Sequence, residues 1–236
     1  MYMKLLIKLS GESLRGAGNA RSLKYDEPTL EMIASQIKSL LNEDHQVALV
    51  VGGGNLFRGS ELTEELAIER PTADYIGMLA TVQNALVLRD YFETKGIETR
   101  VSSAVAMPQV CEGYIPKRAE RHLQKGRVVI FAAGLGTPYF TTDSTSVQRA
   151  LEIGAGVVIM AKNGVNGLYT ADPDKDSNAT LIKSIRASEV LEQNLKVADQ
   201  SAIALAKEHK LKIKVVGVTD IAVALNEEVG SVILPE

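Results

Sequence analysis

Leu5-Leu6-Ile7-Lys8-Leu9-Ser10-Gly11-Glu12 puts a lysine where an apolar run gives way to a glycine turn. Lys4–Leu9 reads as a buried strand, and Gly11 permits a turn that most residues resist. A lysine at that point aims a fixed positive charge at the mouth of the sheet. Further along, the apolar run Val47–Val51 ends in Gly52-Gly53-Gly54-Asn55. Two glycine turns on two strands point to one phosphate-holding crevice at the carboxyl edge of a sheet.

The rest of the chain extends this pattern. Glu98–Val101, Arg127–Ala132, Val157–Ala161 and Lys212–Gly217 read as further strands. Pro28–Asn42, Thr72–Thr94, Ile115–Gln124, Asp143–Ile153 and Asp199–His209 carry apolar residues at helical spacing. Asp26 followed by Pro28 reads as a helix start with Asp26 as cap. Alternating strands and helices, with nearly continuous apolar strands, predict a mainly parallel sheet covered on both faces. Residues Asn163–Thr180 are polar and turn-rich, a long loop or flap beside the sheet.

Bulk properties bound the class. The 236 residues suffice for one large α/β domain or two joined lobes. With 45% apolar and 23% charged residues, the composition is that of a globular protein. A net charge of −3 argues against a surface built to coat nucleic acid. The single cysteine, Cys111, excludes an intrachain disulfide framework and reads as a small buried hydrophobe. Apolar runs are strand-sized, too short to span a bilayer, and the amino terminus lacks a signal-peptide layout. The expected location is cytoplasmic.

Neither the Gly-x-x-x-x-Gly-Lys-Ser/Thr phosphate loop nor the full dinucleotide fingerprint occurs. His45, His122 and His209 are scattered without metal-ligand spacing and read as surface residues; no resident metal is expected. Lys8 beside the Ser10-Gly11 turn combines a point charge with amide donors, as phosphate binding requires, against the plainer reading of a surface lysine. Three successive glycines fit close backbone approach to a ligand, with Arg58 as a fork for its phosphate. Gly134–Asp143 leads into a helix whose start favours an anion, although Thr142 or Asp143 would serve equally as its cap. Asp143 needs a nearby cation, and Lys8 is a candidate. Lys162 ends another strand and is placed to face the same crevice.

These residues, in this order, resemble the bacterial uridylate kinases of the amino acid kinase family. The resemblance spans essentially the whole chain. Lys8–Glu12, Gly52–Gly59 and Tyr169-Thr170-Ala171-Asp172-Pro173 are similar to that family's signatures. Asp74–Thr81, continued by Asn84-Ala85-Leu86, is the most discriminating piece. It separates uridylate kinases from the acetylglutamate, carbamate and aspartate kinases of the same fold.

The resemblance implies an α/β fold, a three-layer αβα sandwich with a central, mainly parallel sheet, forming a single domain over residues 1–236. Its amino-terminal part would hold UMP and its carboxyl-terminal part, from about residue 155, ATP. Gly53, Arg58, Asp74, Leu135, Gly136, Thr137, Pro138, Tyr139, Phe140, Thr141 and Thr142 would bind UMP. Lys8, Leu9, Ser10, Gly11, Gly54, Arg58, Asn163, Tyr169 and Asp172 would bind ATP. The activity implied is transfer of the γ-phosphoryl group of ATP to UMP. Lys8 would stabilise the moving group, Lys162 would assist on the ATP side, and Asp143 and Asp199 would orient the lysines. Mg²⁺ would enter with ATP. A homohexamer, activated by GTP and inhibited by UTP, is also implied.

The chain departs from the common pattern at Leu135-Gly136-Thr137-Pro138, where many relatives have Thr-Gly-Asn-Pro. That loss implies a weakened GTP response. Asn166 replaces a common aspartate, and Asn19–Tyr25 differs from the usual glycine-containing turn. Two rival readings are a phosphotransferase acting on a carboxylate or carbamate, and a non-catalytic nucleotide-binding protein. Asp74–Leu86 speaks against the first, and retention of both Lys8 and Lys162 against the second.

Overall fold

The computed structural model describes residues 2–15, 24–57, 59–171, 173, 175–176, 178–195 and 197–236, with backbone only at 59–62. Arg58, Asp172 and most of Asn19–Tyr25 lie outside the described residues. In chain order the elements are β1 (Lys4–Leu9), α1 (Glu27–Asn42), β2 (Gln46–Val51), α2 (Gly59–Leu66), α3 (Arg70–Thr94), β3 (Thr99–Ser103) and β4 (Glu112–Gly113). Then follow α4 (Pro116–Gln124), β5 (Val128–Ala132), α5 (Thr142–Ile153), β6 (Val157–Lys162), β7 (Leu168–Tyr169) and β8 (Leu181–Ile182). The last elements are β9 (Ser184–Arg186), α6 (Ala187–Glu192), α7 (Gln200–Glu208), β10 (Lys212–Gly217) and β11 (Ser231–Leu234). Short 3₁₀ turns occupy Gly11–Leu14 and Val218–Val223.

One nine-stranded sheet runs β4-β3-β5-β2-β1-β6-β10-β11-β9. Its pairings are parallel except β10 with β11. The central strands β1, β2 and β5 are buried along nearly their whole length, as parallel strands covered on both faces must be. Successive side chains alternate between two apolar layers. Leu5, Ile7 and Leu9 pack with α1 and α3 on one face, and Leu6, Val50 and Met160 pack with α4, α5 and α7 on the other. The result is the expected αβα sandwich.

Local chemistry sets the helix ends. Asp26 caps α1, its carboxylate accepting from the Thr29 N–H at 3.1 Å, and Leu30, Ile33, Ile37 and Leu40 form the buried stripe. Thr141, not Thr142 or Asp143, caps α5 through its hydroxyl, which accepts from the Ser144 N–H. Gly154 ends that helix in the left-handed region. The 25-residue α3 extends about 37 Å at about 1.5 Å per residue, from the carboxyl edge of the sheet toward its far side. Within the expected flap, Leu168–Tyr169 and Leu181–Ile182 pair antiparallel, so part of it is a small β-ribbon. His45 corrects the expectation of a surface residue: it is buried, and its Nδ1 accepts the Met3 N–H. Among the described residues, no helix is long and apolar enough to cross a membrane.

Candidate active site

Strand register decides which side chains meet at the carboxyl edge. Lys8 pairs across the sheet with Val50 of β2 and Met160 of β6, whose side chains face the α4–α7 layer. Lys8 therefore leaves that same face, and so does Lys162, the next-but-one residue after Met160. Lys8 keeps only 9% of its surface exposed, a degree of burial that demands a counter-charge. Asp143, in the first turn of α5, supplies it at 2.9 Å from the Lys8 Nζ. The Lys162 ammonium donates to the Val197 carbonyl at 2.5 Å. Burial holds the Lys162 pKa below the ordinary lysine value, opposed by Asp143, reinforced by Lys8 and opposed again by Asp199. Asp199 precedes α7 and accepts a hydrogen bond from the Thr141 hydroxyl. The four charged residues singled out in the sequence thus share one electrostatic neighbourhood, beside the positive end of the α5 dipole.

The two glycine turns interlock beneath these charges. A Cβ on Gly11 would lie 2.6 Å from the Gly54 nitrogen, 2.7 Å from Asn55 Oδ1 and 2.8 Å from the Gly52 carbonyl oxygen. A Cβ on Gly53 would lie 2.9 Å from both Ala80 Cβ and the Gly77 carbonyl oxygen, so this turn presses against α3. Asn84, fully buried on α3, donates to the Gly52 carbonyl at 2.6 Å and to Asn55 Oδ1 at 2.7 Å. Its own Oδ1 accepts from Tyr25 and Asn55. A satisfied buried amide network of this kind fixes the turn relative to the helix. Ser10 stabilises the first turn, its hydroxyl accepting from the Ser13 N–H at 3.2 Å. Leu9 packs into the core rather than toward the crevice.

One cleft opens between the Gly52–Gly54 turn, the start of α3 and the loop before α5. Of the residues expected on the UMP side, Gly53, Asp74, Phe140, Thr141 and Thr142 line it, and so does Gly54, expected on the ATP side. Leu135, Gly136, Thr137, Pro138 and Tyr139 belong to the same loop but do not line that cleft. Gly136 leans on Ala104 with φ +79°, Thr137 is exposed and Leu135 is half-buried. Asp74 clamps the loop: Oδ2 accepts the Tyr139 N–H and Oδ1 accepts from Arg70, each at 2.8 Å. That contact holds Tyr139 at φ +71°, an uncommon conformation for a tyrosine.

Lys162 lines a second cleft. Tyr169 lines it with Gly167, Leu168, Pro173, Leu195 and Val197. Asn163 is exposed and is not among its lining residues. Asn166, in place of the common aspartate, accepts from the Tyr169 hydroxyl at 2.7 Å. Sequence reading missed several contributors. Gly77 leaves open space on α3 facing the first cleft, and a glycine inside a helical pattern was the available signal. Thr81 accepts the Ala133 N–H at 2.8 Å, tying α3 to the end of β5. Arg149 is buried, donates to the Gly134 carbonyl at 3.0 Å, pairs with Glu152 at 2.6 Å and stacks over Tyr114. It anchors the start of the loop, and burial with the Glu152 hydrogen bond pushes the Tyr114 pKa up.

A cleft bordered by the Gly52–Gly54 turn, a second cleft lined by Lys162, and Lys8 with Asp143 in the electrostatic neighbourhood of Lys162 make an arrangement suited to bringing two anions together. Residues 3–217 match the sequence profile of the Amino acid kinase family. The chain belongs to that family. Within it, the uridylate kinase of Tropheryma whipplei (strain Twist) is 50% identical over 223 residues, covering 94% of each chain. The uridylate kinase of Arthrobacter sp. (strain FB24) is 47% identical over 236 residues, covering 98% of this chain and 94% of that one. The crystal structure of UMP kinase from Bacillus anthracis superposes with a TM-score of 0.92 at 38% identity, covering 99% of this chain and 96% of that one.

Proposed function

We propose that this protein is a UMP kinase, transferring the γ-phosphoryl group of ATP to UMP and releasing UDP and ADP, in pyrimidine nucleotide synthesis. The observation that supports the reading is the clustering of Lys8, Lys162, Asp143 and Asp199, with Lys162 lining the second cleft and Thr141, which donates to Asp199, lining the first. UMP occupies the cleft lined by Gly53, Asp74 and Phe140–Thr142, in the amino-terminal part of the chain. ATP occupies the cleft beside Tyr169, in the part beginning near residue 155. Arg58 and Asp172, outside the described residues, remain assigned by resemblance to the nucleotide phosphates and to ATP.

An oxygen of the UMP phosphate attacks the γ-phosphorus as the bond to the β–γ bridging oxygen breaks. The acceptor is already ionised at neutral pH, so no general base is needed and catalysis is alignment plus charge neutralisation. Lys8 meets the charge on the moving group; Asp143 holds that ammonium in place. Lys162 acts on the ATP side, and its backbone partner Val197 fixes its direction. The interlocked turns at Gly11 and Gly52–Gly54 keep both phosphate cradles in register. Among the described residues no three His, Cys, Asp or Glu side chains converge as a metal site. Magnesium enters with ATP, carried by its phosphates, as the resemblance implies.

Assembly as a homohexamer, GTP activation, UTP inhibition and a cytoplasmic location complete the proposal and rest on the resemblance. Leu135 has no hydrogen-bonding side chain, which supports a modest GTP response. The test is steady-state phosphorylation of UMP, CMP and dUMP, with and without GTP, alongside carbamate and acetylglutamate. UMP should be turned over with the highest kcat/KM. Preference for either of the last two would overturn the assignment.

A further inference from the structure

Strand β10, beside β6 in the sheet, carries a second cationic feature. On β10, Ile213 and Val215 point into the α4–α7 layer, so Lys212 and Lys214 leave the opposite face. Their register neighbours there are Val157 and Ile159 of β6 and Val232 of β11. An inner strand face bordered by such residues calls for apolar side chains, yet Lys214 stands in it with 7% of its surface exposed. Among the described residues Lys214 has no ion pair; its Nζ donates to the Asn226 carbonyl at 3.1 Å. Desolvation, with the like charges of Lys183 and Lys212, pulls its pKa down, opposed by Glu227 and Glu228.

Lys214, Lys212 and Lys183 line a cavity of about 560 Å³ whose apolar walls include Val157, Val232 and Leu225. That volume falls within the range of about 300–1,000 Å³ typical of small-molecule sites. Glu227 and Glu228 also line it and are exposed. The cavity is separate from the kinase clefts: Val157 lines it at the start of β6, whereas Lys162 ends that strand about 16 Å away at about 3.3 Å per residue.

We propose that this cavity binds a small amphipathic anion, a carboxylate or phosphomonoester head against Lys214 and Lys212 with a short apolar body against Val157, Val232 and Leu225. An anionic head would supply the direct ion pair that the buried ammonium lacks, and the apolar walls would take the body out of water. The rival is that Lys214 and Lys183 serve only to strap the Asn226–Glu228 turn, whose carbonyls they both bind.

Lysine acetylation by acetic anhydride, read by mass spectrometry on the full chain, separates the two. Hexanoate and phenyl phosphate are the probes, hexanol is the neutral isostere, inorganic phosphate is the head without a body, and exposed Lys125 is the reference amine. At about ten times a millimolar dissociation constant, either probe should slow Lys214 modification about tenfold and leave Lys125 unchanged. Phosphate should protect much less and hexanol not at all. The exposed pair Lys183→Ala and Lys212→Ala should lose most of the protection while retaining UMP kinase turnover. Protection of Lys214 by hexanol equal to that by hexanoate, or no protection by either probe, would overturn the proposal in favour of a purely structural lysine.

Discussion

Replacing Gly11 by alanine adds one methyl group at the place where the two phosphate turns touch. The backbone permits it, because Gly11 is not among the residues with positive φ. Space does not: the new Cβ would sit 2.6–2.8 Å from three atoms where ordinary contact begins at 3.4 Å, a shortfall of 0.6–0.8 Å. Two of those atoms are backbone and the third is the Asn55 amide, which Asn84 holds by two hydrogen bonds. The turns must therefore separate. Overpacking of this kind costs about 1–3 kcal/mol, and a misplacement approaching 1 Å costs about 10²-fold in rate. At about 2–4 °C per kcal/mol for a chain of this size, the melting temperature should fall by about 2–12 °C. Gly54→Ala is the matched control in the facing turn. Its Cβ would meet only the Glu12 side chain, Cγ at 3.6 Å and Oε1 at 3.8 Å, so stability should move by no more than about 0.5 kcal/mol. Thermal unfolding and kcat measured on both variants decide the issue. Equal destabilisation by Gly11→Ala and Gly54→Ala would refute the claim that the turns are in contact at Gly11.

Three further outcomes follow from the same site. Lys8→Met should lower kcat by about 10²–10³, the usual scale for one charge-stabilising donor, with the KM for UMP changing much less; near wild-type turnover would remove Lys8 from the reaction. Lys162 has a pKa below the ordinary lysine value, so kcat/KM should fall on an alkaline limb below the normal lysine range, and Lys162→Arg should shift that limb upward. The same group makes stability rise with pH only between its folded pKa and its higher unfolded value, where the unfolded chain holds more protons, and a pH series of urea melts checks the sign. Asp74→Asn weakens two charge-assisted contacts, to Arg70 and to the Tyr139 N–H, and should raise the KM for UMP by about tenfold or more with ATP nearly unaffected; equal losses for both nucleotides would make Asp74 a structural residue.

What the sequence made legible was the part governed by local pattern. β1 and β10 have the bounds read from their apolar runs, and Asp26 caps α1 as its position before Pro28 implied. The electrostatic grouping of Lys8 with Asp143 was also legible, because strand-end lysines and a helix-start aspartate converge wherever parallel strands share an edge. The parts that stayed hidden depend on long-range partners. β9, β11 and the β7–β8 ribbon are two to four residues long, too short for a period to register. α6 is six residues and carries no stripe that distinguishes it from a turn. Asn84 read as part of a family signature, yet its hydrogen bonds to Gly52 and Asn55 cross about thirty positions of chain, and no local rule connects them. Arg149 lies in a span read only for its helical spacing, and its burial against Gly134 and Tyr114 depends on partners that no local pattern connects.

The two helix layers divide the work by sheet parity. Lys8 and Lys162 leave the face covered by α5 and α7, so the starts of those helices supply Asp143, which pairs with Lys8, and Asp199, whose charge acts on Lys162. The opposite layer cannot reach the lysines through the sheet; α3 instead passes beyond its edge and contributes Asp74, Gly77 and Thr81 to the acceptor cleft. Asn84 joins the layers, since it is anchored on α3 and grips the turn that closes over β2. Asn84 thereby ties α3 to the Gly52–Gly54 turn by direct hydrogen bonds. The far half of the same helix carries Arg89 and Glu93 on a separate cleft with Arg100 and Arg118. A ligand that biases α3 from that end would act on phosphate alignment directly, independently of Leu135 and Thr137. The polar contacts missing from the loop before α5 would then reduce only one of two routes between an effector and the reacting phosphates.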